Sequence, residues 1–212
     1  MRKIDKVSLY WKQQEPTLQS MYKKPNAEYL EKHEKAELLS YLPDLQGKKI
    51  LDLGAGIGRF TRYFSSLAEH LTTVDMAPQF VARNRQDHAD CSNITFLCSD
   101  ALSLQMEDHS LDFIFLNWLL MYLEDHEVEV LLDRIHRWLR PEGELFFRES
   151  CDVMRSKNTK NGYFAHYRSL SEYDAFVKEK FTLLKEGHLR TYVHCFADPL
   201  QCYWHCRKNP KI

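Results

Sequence analysis

A glycine-rich turn and two nearby aspartates are the clearest candidates for ligand chemistry in this sequence. Residues 50–60 are ILDLGAGIGRF, and TTVDM follows from residue 72. Glycine lacks a Cβ and tolerates positive φ, so this turn lets a ligand approach the backbone closely. Asp52 precedes the turn, and Asp75 ends the next apolar run, where a carboxylate can accept hydrogen bonds from both hydroxyls of a ribose. The pattern predicts a nucleoside-binding turn.

The spacing of the glycines narrows the choice of nucleotide. A dinucleotide fingerprint, GxGxxG, would need its third glycine at position 59, but that position is Arg59. A pyrophosphate group is therefore disfavoured, whereas an adenosine without a pyrophosphate suits a glycine turn followed by an acidic strand end. S-adenosylmethionine carries such an adenosine, together with an amino-acid tail that can lie along the turn.

Alternating helix and strand patterns surround these residues. Residues 27–42 have leucines at helical spacing, and later apolar runs alternate with helical segments, which predicts an α/β fold. Such a sheet is mostly parallel, is covered by helices on both faces, and binds ligands beyond the carboxyl ends of its strands. Residues 180–194 and 199–209 predict two long strands that pair antiparallel at one edge, whereas residues 8–26 have no clear pattern.

Composition limits the classes of function. The chain has 212 residues, 44% of them hydrophobic, which predicts one domain over residues 1–212. The formal net charge of -1 provides no basic field for nucleic acid. No apolar run predicts a signal peptide or a membrane span, so we expect a cytoplasmic monomer that binds neither nucleic acid nor membrane. The six cysteines include no CxxC pair, and we expect no metal site.

The string LDLGAGIGRF, followed by VD and then by CSDAL, resembles the class I S-adenosylmethionine-dependent methyltransferases. The resemblance implies a Rossmann-like fold with a mostly parallel seven-stranded sheet and an antiparallel edge strand. It also implies a set of residues that contact S-adenosylmethionine: Asp52, Gly54, Gly56 and Gly58 at the turn, then Asp75, Met76, Asp100, Ala101 and Asn117 at later strand ends. An aspartate at the position of Asp100 can instead cap the next helix.

Four further segments carry a narrower resemblance. These are NWLLMYLEDHEVEVL at 117–131, FFRESC at 146–151, the pair YW at 10–11 and HYRSLSEY at 166–173. Together they resemble the phosphoethanolamine N-methyltransferases, in particular the amino-terminal domain of the two-domain forms. The resemblance implies methyl transfer to the nitrogen of phosphoethanolamine in phosphocholine synthesis. Because the sequence contains one glycine turn, we expect the first methylation only.

The acceptor amine must lose a proton before it attacks the methyl group. With a pKa of about 10.4, deprotonation costs roughly 4 to 5 kcal/mol at neutral pH, which a placed base or a desolvating pocket must offset. By resemblance the catalytic candidates are Tyr10 and Tyr122, and water or His166 is a further candidate to accept the proton. A tyrosine at the position of Tyr122 can equally be a half-buried residue with a satisfied hydroxyl.

The phosphate end of the substrate requires cationic and hydroxyl donors. Residues 155–168 concentrate arginine, lysine and tyrosine, which suits phosphate, although a solvated basic loop has the same composition. The resemblance implies that the substrate is bound by Tyr10, Trp11, Tyr163, Tyr167, Arg168 and Tyr173. We expect residues 1–26 to act as a lid and residues 152–170 as a substrate-binding loop.

Two alternatives remain open from the sequence. A methyltransferase of the same fold can act on another amine, such as the amino terminus of a protein, although an acidic site would suit that cationic substrate better than the basic loop does. The chain can also be an inactive partner module that keeps the cofactor fold. For Arg148, near the carboxyl end of a predicted central strand, we favour a structural ion pair over a ligand contact.

Overall fold

The computed structural model describes residues 3–23, 26–151 and 164–210. The helices are α1 (Lys3–Lys12), α2 (Leu18–Tyr22), α3 (Ala27–Leu39), α4 (Thr61–Leu67), α5 (Pro78–Asp87), α6 (Asp125–Trp138), α7 (Leu170–Lys178) and α8 (Arg190–Phe196). The strands are β1 (Lys49–Leu53), β2 (His70–Asp75), β3 (Ile94–Cys98), β4 (Leu111–Asn117), β5 (Leu139–Ser150), β6 (Phe181–His188) and β7 (Gln201–Lys208), and a 3₁₀ turn covers Leu120–Tyr122. No helix in these ranges combines the length and apolar character that a membrane crossing needs.

The seven strands form one sheet in the order β3-β2-β1-β4-β5-β7-β6. Strands β1 to β5 pair in parallel, and β7 lies antiparallel between β5 and β6. The predicted mostly parallel sheet with an antiparallel pair at one edge is confirmed. The chain proceeds outward from β1 to β3 and then returns to place β4 on the other side of β1. This reversal of strand order between β1 and β4 is the point at which open α/β sheets bind ligands.

Apolar side chains cover both faces of the sheet. On one face, Trp138 of α6 belongs to the cluster that contains Trp204 of β7. On the other, Phe64 of α4 and Tyr192 of α8 belong to the cluster that contains Phe146 of β5. Strands buried on both faces have nearly continuous apolar sequences, as in the segment LDFIFLN of β4. The fold is therefore a three-layer arrangement with the sheet in the middle.

The amino-terminal segment is helical, unlike the irregular structure expected for residues 8–26. In α1, Val7, Tyr10 and Trp11 recur at spacings of three and four residues, which places them on one helix face. The Thr17 hydroxyl accepts a hydrogen bond from the backbone N–H of Ser20 (3.3 Å) and caps α2. These helices have only 10 and 5 residues, so the helical period repeats too few times to stand out in the sequence.

The segment 180–194 is not one long strand, as the sequence pattern suggested. β6 ends at His188, and α8 follows because the Glu37 carboxylate accepts hydrogen bonds from the backbone N–H groups of Arg190 (2.7 Å) and Thr191 (2.8 Å). This carboxylate satisfies donors that the first turn of a helix leaves free. A contact from α3, distant in sequence, thus outweighs the strand propensity of Thr191, Tyr192 and Val193.

Candidate functional site

A cavity of about 470 Å³ opens at the carboxyl ends of the strands, where the order of β1 and β4 reverses. Two groups of described residues line it. The sheet side includes Asp52, Gly54, Gly56, Asp75, Met76, Ala101 and Asn117, which lie at strand ends or in the turns that follow them. The cover side includes Tyr10, Trp11, Tyr22, Lys23, Trp118, Tyr122 and Tyr167, which come from α1, α2 and the loops above the sheet.

The glycine turn and Asp75 are joined by a direct hydrogen bond. The backbone N–H of Gly56 donates to one carboxylate oxygen of Asp75 (2.9 Å), and the N–H of Ala77 donates to the other (2.9 Å). Gly54 and Gly56 have φ of +82° and +58°, which side chains with a Cβ rarely adopt. Burial raises the pKa of Asp75, although these backbone donors oppose the rise. Each oxygen retains a lone pair that can accept a ribose hydroxyl.

Asp52 is the most unusual group on the sheet side. Its side chain is buried, and among the described residues its Oδ2 atom has no hydrogen-bond partner. Burial and the nearby charge of Asp75 raise the pKa of Asp52 to about 7. A buried carboxylate oxygen without a donor is costly, so a cationic or hydrogen-bond donating ligand in the cavity would stabilise it.

Two of the predicted cofactor residues lie outside the cavity lining. The Asp100 carboxylate accepts hydrogen bonds from the N–H groups of Leu102 (3.0 Å) and Ser103 (2.9 Å), so it caps the turn after β3. Its neighbour Ala101 does line the cavity. Gly58 has φ of +84°, and a Cβ there would lie 2.0 Å from the side-chain oxygen of Asn84. Gly58 therefore allows the turn to pack against α5.

Aromatic side chains form most of the cover side. Trp11 meets the ring of Tyr122 edge-on, with ring centroids 5.8 Å apart, and Trp11 meets Phe80 of α5 at the same distance. Tyr167 belongs to the same apolar cluster as Tyr122. Burial raises the pKa of Tyr10, so its phenol is neutral near pH 7. The structure thus brings Tyr10, Trp11, Tyr122 and Tyr167 to the cavity that the sheet-side aspartates also line.

Glu149 holds the segment that carries Trp118 and Tyr122. Its buried carboxylate accepts hydrogen bonds from the N–H groups of Leu119 (2.8 Å) and Leu120 (2.6 Å) at the start of the 3₁₀ turn. Burial raises the pKa of Glu149 to about 7, against the effect of these donors. Trp118 has φ of +60°, a conformation that a bulky residue adopts only when its surroundings impose it. Glu149 is therefore well placed to position the cover side.

A buried ionic network connects α3 to the glycine turn and to β5. Glu34 is fully buried and accepts hydrogen bonds from Arg59 (2.9 Å) and from Arg148 (3.1 Å). Burial acts to raise the pKa of Glu34, but the two arginines outweigh it and the pKa is lowered. Arg148 also lies against the Trp118 ring, 3.4 Å from its centroid. The expected structural ion pair of Arg148 is confirmed, and its partner is Glu34.

Arg168 does not reach the cavity, contrary to the expectation that it binds the substrate phosphate. Its buried guanidinium donates hydrogen bonds to Asp125 (2.8 Å) and to the carbonyls of Leu120 (3.0 Å) and Leu123 (2.7 Å). Through these hydrogen bonds, Arg168 links the 3₁₀ turn to the start of α6. The basic composition of the surrounding sequence did not distinguish this arginine from a ligand-binding one.

Two other predicted residues also fall outside the cavity lining among the described residues. Tyr173 is fully buried in the core, where its ring centroid lies 5.2 Å from that of Trp204. His166 lies 3.8 Å from the Asp125 carboxylate, and its backbone N–H donates to the carbonyl of Met121 (2.6 Å). Tyr163 lies outside the described residues, as does most of the predicted loop at 152–170.

Sequence reasoning missed Lys23, which lines the cavity at the end of α2. Its ammonium lies 4.3 Å from the ring centroid of Tyr10 and 5.3 Å from that of Trp11, and it donates a hydrogen bond to the Tyr10 hydroxyl. Partial burial lowers the pKa of Lys23 to about 8. A lone lysine in a polar segment carries no pattern that would have marked it, because its place depends on how α1 and α2 pack.

Comparisons with known proteins find methyltransferases that are similar to this chain. Residues 51–147 match the family model described as "Methyltransferase domain". A phosphoethanolamine N-methyltransferase 1 from Triticum aestivum is 40% identical over 192 residues, which are 88% of this chain and 38% of the relative. One from Caenorhabditis elegans is 37% identical and covers 92% of this chain and 45% of the relative.

A solved structure agrees over almost the whole chain. Phosphoethanolamine N-methyltransferase 1 of Haemonchus contortus, in complex with phosphoethanolamine and S-adenosylhomocysteine, matches with a TM-score of 0.91 and 31% identity, over 99% of this chain and 50% of that one. The N-methyltransferase NodS of Bradyrhizobium japonicum, at 18% identity and a TM-score of 0.73, shares the fold.

The fold and the cavity define a class I methyltransferase domain. Within that class the chain is similar to the phosphoethanolamine N-methyltransferases. It spans 38% to 50% of the length of the three phosphoethanolamine N-methyltransferases described above.

Proposed function

We propose that this chain transfers a methyl group from S-adenosylmethionine to the amine of phosphoethanolamine and yields the monomethylated phosphobase. The observation that carries the proposal is one cavity lined by both the glycine turn with its aspartates and an aromatic cover. The 37% to 40% identity to phosphoethanolamine N-methyltransferases, over most of this chain, supports the choice of substrate.

The sheet side fits the cofactor. Gly54 and Gly56 allow the amino-acid tail to lie against the backbone, and Asp75 accepts hydrogen bonds from the ribose. Asp52 has a buried oxygen without a donor, which suits the cofactor's ammonium group. Met76 and Ala101 provide apolar contact for the adenine. When bound, S-adenosylmethionine supplies a methyl group activated by a positively charged sulfur.

The cover side prepares the amine. Trp11, Trp118 and Tyr122 exclude water, which disfavours the ammonium form and so reduces the cost of deprotonation. Within this proposal the hydroxyls of Tyr10 and Tyr122 orient the nitrogen, and the proton leaves to water because His166 lies outside the cavity lining. Holding the nitrogen in line with the methyl group provides much of the remaining acceleration. We propose that α1 and α2 are the lid over this arrangement.

Labelled S-adenosylmethionine offers a direct test of the reaction. The purified chain would be incubated with phosphoethanolamine, with its monomethyl and dimethyl derivatives, and with peptides that have free amino termini, and products would be identified by mass spectrometry. We expect label in the monomethylated phosphobase. Turnover of peptides alone would contradict the proposal, and phosphocholine as the main product would contradict its restriction to the first methylation.

A further inference from the structure

We propose that the indole of Trp118 is a rigid wall at the acceptor end of the cavity, and that it selects primary amines over amines that already carry a methyl group. A wall of this kind limits the product to the monomethylated phosphobase. This inference rests on the proposed function, since it concerns the specificity of the same site.

The backbone holds Trp118 in a conformation that a bulky residue rarely adopts, with φ of 60°. Its N–H donates a hydrogen bond to the carbonyl of Arg148 in β5 (2.8 Å). The N–H of the next residue, Leu119, donates to the Glu149 carboxylate (2.8 Å). Strained conformations persist only where the surrounding structure imposes them, and they cluster at ligand-binding sites. The backbone therefore fixes the direction in which the indole leaves the chain.

The indole of Trp118 is also held at its edge and at one face. Its N–H donates to the Ser150 hydroxyl (3.1 Å) and to the side-chain carbonyl of Gln201 (3.1 Å), and both of these residues are buried. The guanidinium of Arg148 lies 3.4 Å from the ring centroid and is itself bound to Glu34 (3.1 Å). Rotation of the ring would leave buried polar groups without partners, which is costly. The ring is therefore rigid.

Trp118 lies beside the groups that orient the amine in the proposed function. It lines the same cavity as Tyr10 and Tyr122, and it packs against the apolar cluster that contains Tyr122. Pockets that hold one drug-sized ligand typically measure about 300 to 1,000 Å³. This cavity of about 470 Å³ holds both cofactor and acceptor in the proposed function, so it has little volume to spare.

The geometry of methyl transfer explains why a rigid wall discriminates between amines. In each transfer the nitrogen lone pair forms a bond to the methyl carbon, the carbon–sulfur bond breaks with its electron pair left on sulfur, and one proton leaves the nitrogen. In a second transfer, the methyl group already on the nitrogen must point away from the line of attack and towards the surrounding side chains. Adding a methyl group to a close-packed site is unfavourable when the wall cannot move. Trp118 therefore favours a nitrogen that carries only hydrogen beside its carbon chain.

The test compares two acceptors on each of several variants. The kcat/KM for phosphoethanolamine and for its monomethyl derivative would be measured with labelled S-adenosylmethionine and mass spectrometry, and the ratio of monomethyl to unmethylated acceptor would be calculated. We expect this ratio to rise about tenfold in Trp118→Phe and Trp118→Ala. Gln201→Met keeps the ring but removes a hydrogen-bond partner, and should give a smaller rise. The matched control is Trp11→Phe, at a cavity-lining tryptophan of α1, which should leave the ratio unchanged.

Other results would overturn the inference without touching the proposed function. An unchanged ratio in the Trp118 variants, or equal kcat/KM for both acceptors in the wild type, would show that Trp118 does not select primary amines. An equal rise in Trp11→Phe would assign the selection to the size of the whole cavity, and no rise in Gln201→Met would refute the rigid wall. If Trp118→Ala fails to bind S-adenosylhomocysteine, Trp118→Phe and Gln201→Met decide. A wild-type chain that binds S-adenosylhomocysteine but methylates neither acceptor would instead refute the proposed substrate.

Discussion

The sheet side and the cover side of the cavity are held in place by different means. On the sheet side, parallel pairing of β1 with β2 and β4 sets Asp52, Gly54 and Asp75 at neighbouring strand ends. On the cover side, short helices and a 3₁₀ turn depend on a few buried charges, above all Glu34 and Glu149. The cofactor candidates are thus fixed by backbone geometry, and the acceptor candidates by side chains.

This difference restricts substitutions in different ways on the two sides, although the bond between Arg59 and Glu34 joins them. A turn at a strand end tolerates few substitutions, because positive φ and close packing restrict it. The helices of the cover side are held at a few points, and the residues between those points can be substituted. Such substitutions change which acceptor binds while the cofactor side stays constant. Lys23 lies in such an interval, between capped α2 and the network at Glu34.

Removal of the Glu34 carboxylate, which bonds both arginines of the buried ionic network, should have the largest effect of the substitutions considered, and this effect is on stability. Replacing Glu34 by Ala leaves Arg59 and Arg148 buried without their shared carboxylate, which should lower the free energy of unfolding by about 3 to 5 kcal/mol. Urea unfolding measures the loss. Replacing the exposed Glu28 on the same helix should change stability by less than about 0.5 kcal/mol. A loss in Glu34→Ala no larger than in this control would show that the network does not hold the cover side.

The sheet side can be tested by comparing two aspartates at strand ends. Replacing Asp75 by Ala should weaken binding of S-adenosylmethionine by about 1 to 3 kcal/mol, because hydrogen bonds to the ribose are lost. Replacing Asp100, whose carboxylate caps a turn outside the cavity lining, should weaken binding less. Calorimetry gives both affinities. An equal loss in the two variants would mean that damage to the turns, and not contact with the cofactor, controls binding.

The sequence predicted the sheet side well, because its signals are local. The glycine turn, the apolar strands and the aspartate that ends β2 each depend on neighbouring residues, and parallel pairing then brings them together. Gly58 and Asp100 show the limit of this reasoning. They belong to the same motifs as residues that line the cavity, but the structure uses them to pack and to cap turns.

The cover side was predicted less completely, because its contacts join distant parts of the chain. Arg168 looked like a phosphate ligand in the sequence, but Asp125 and two carbonyls surround it in the fold. The segment at Arg190 looked like a strand, but the Glu37 carboxylate begins a helix there. No pattern in the sequence marked Lys23 as a residue of the cavity. In each case the outcome depends on a partner tens of residues away or on helix packing, which local pattern does not encode.

A hydroxyl deletion on the cover side tests the role of Tyr122. The Tyr122→Phe variant should lower kcat by about tenfold to a hundredfold, since proton transfer and orientation of the amine typically contribute at least that much. Affinity for S-adenosylhomocysteine should not change. The matched control is Tyr173→Phe, which removes a hydroxyl from a buried tyrosine outside the cavity lining. A wild-type kcat in Tyr122→Phe would show that Tyr122 contributes packing and that its hydroxyl has no role in the reaction.

The smallest effect expected is a pH dependence of cofactor binding that belongs to the sheet side alone. The pKa of Asp52 is raised to about 7, so this carboxyl group is mostly protonated at pH 6 and mostly ionised at pH 7.5. A cationic ligand binds the ionised form better, so the affinity for S-adenosylmethionine should rise by roughly fivefold to tenfold over that interval.

In Asp52→Asn the same measurement should give a nearly flat profile, because no charge appears at that position as pH rises. Glu149 also has a pKa near 7, but it contacts the 3₁₀ turn and should affect acceptor binding more than cofactor binding. If Asp52→Asn retained the full pH dependence, the titrating group would be another one, such as Asp75, whose pKa burial also raises. Calorimetric titrations of both proteins at pH 6 and 7.5 distinguish these groups. The pH dependence of cofactor binding disappears only when the responsible residue is replaced.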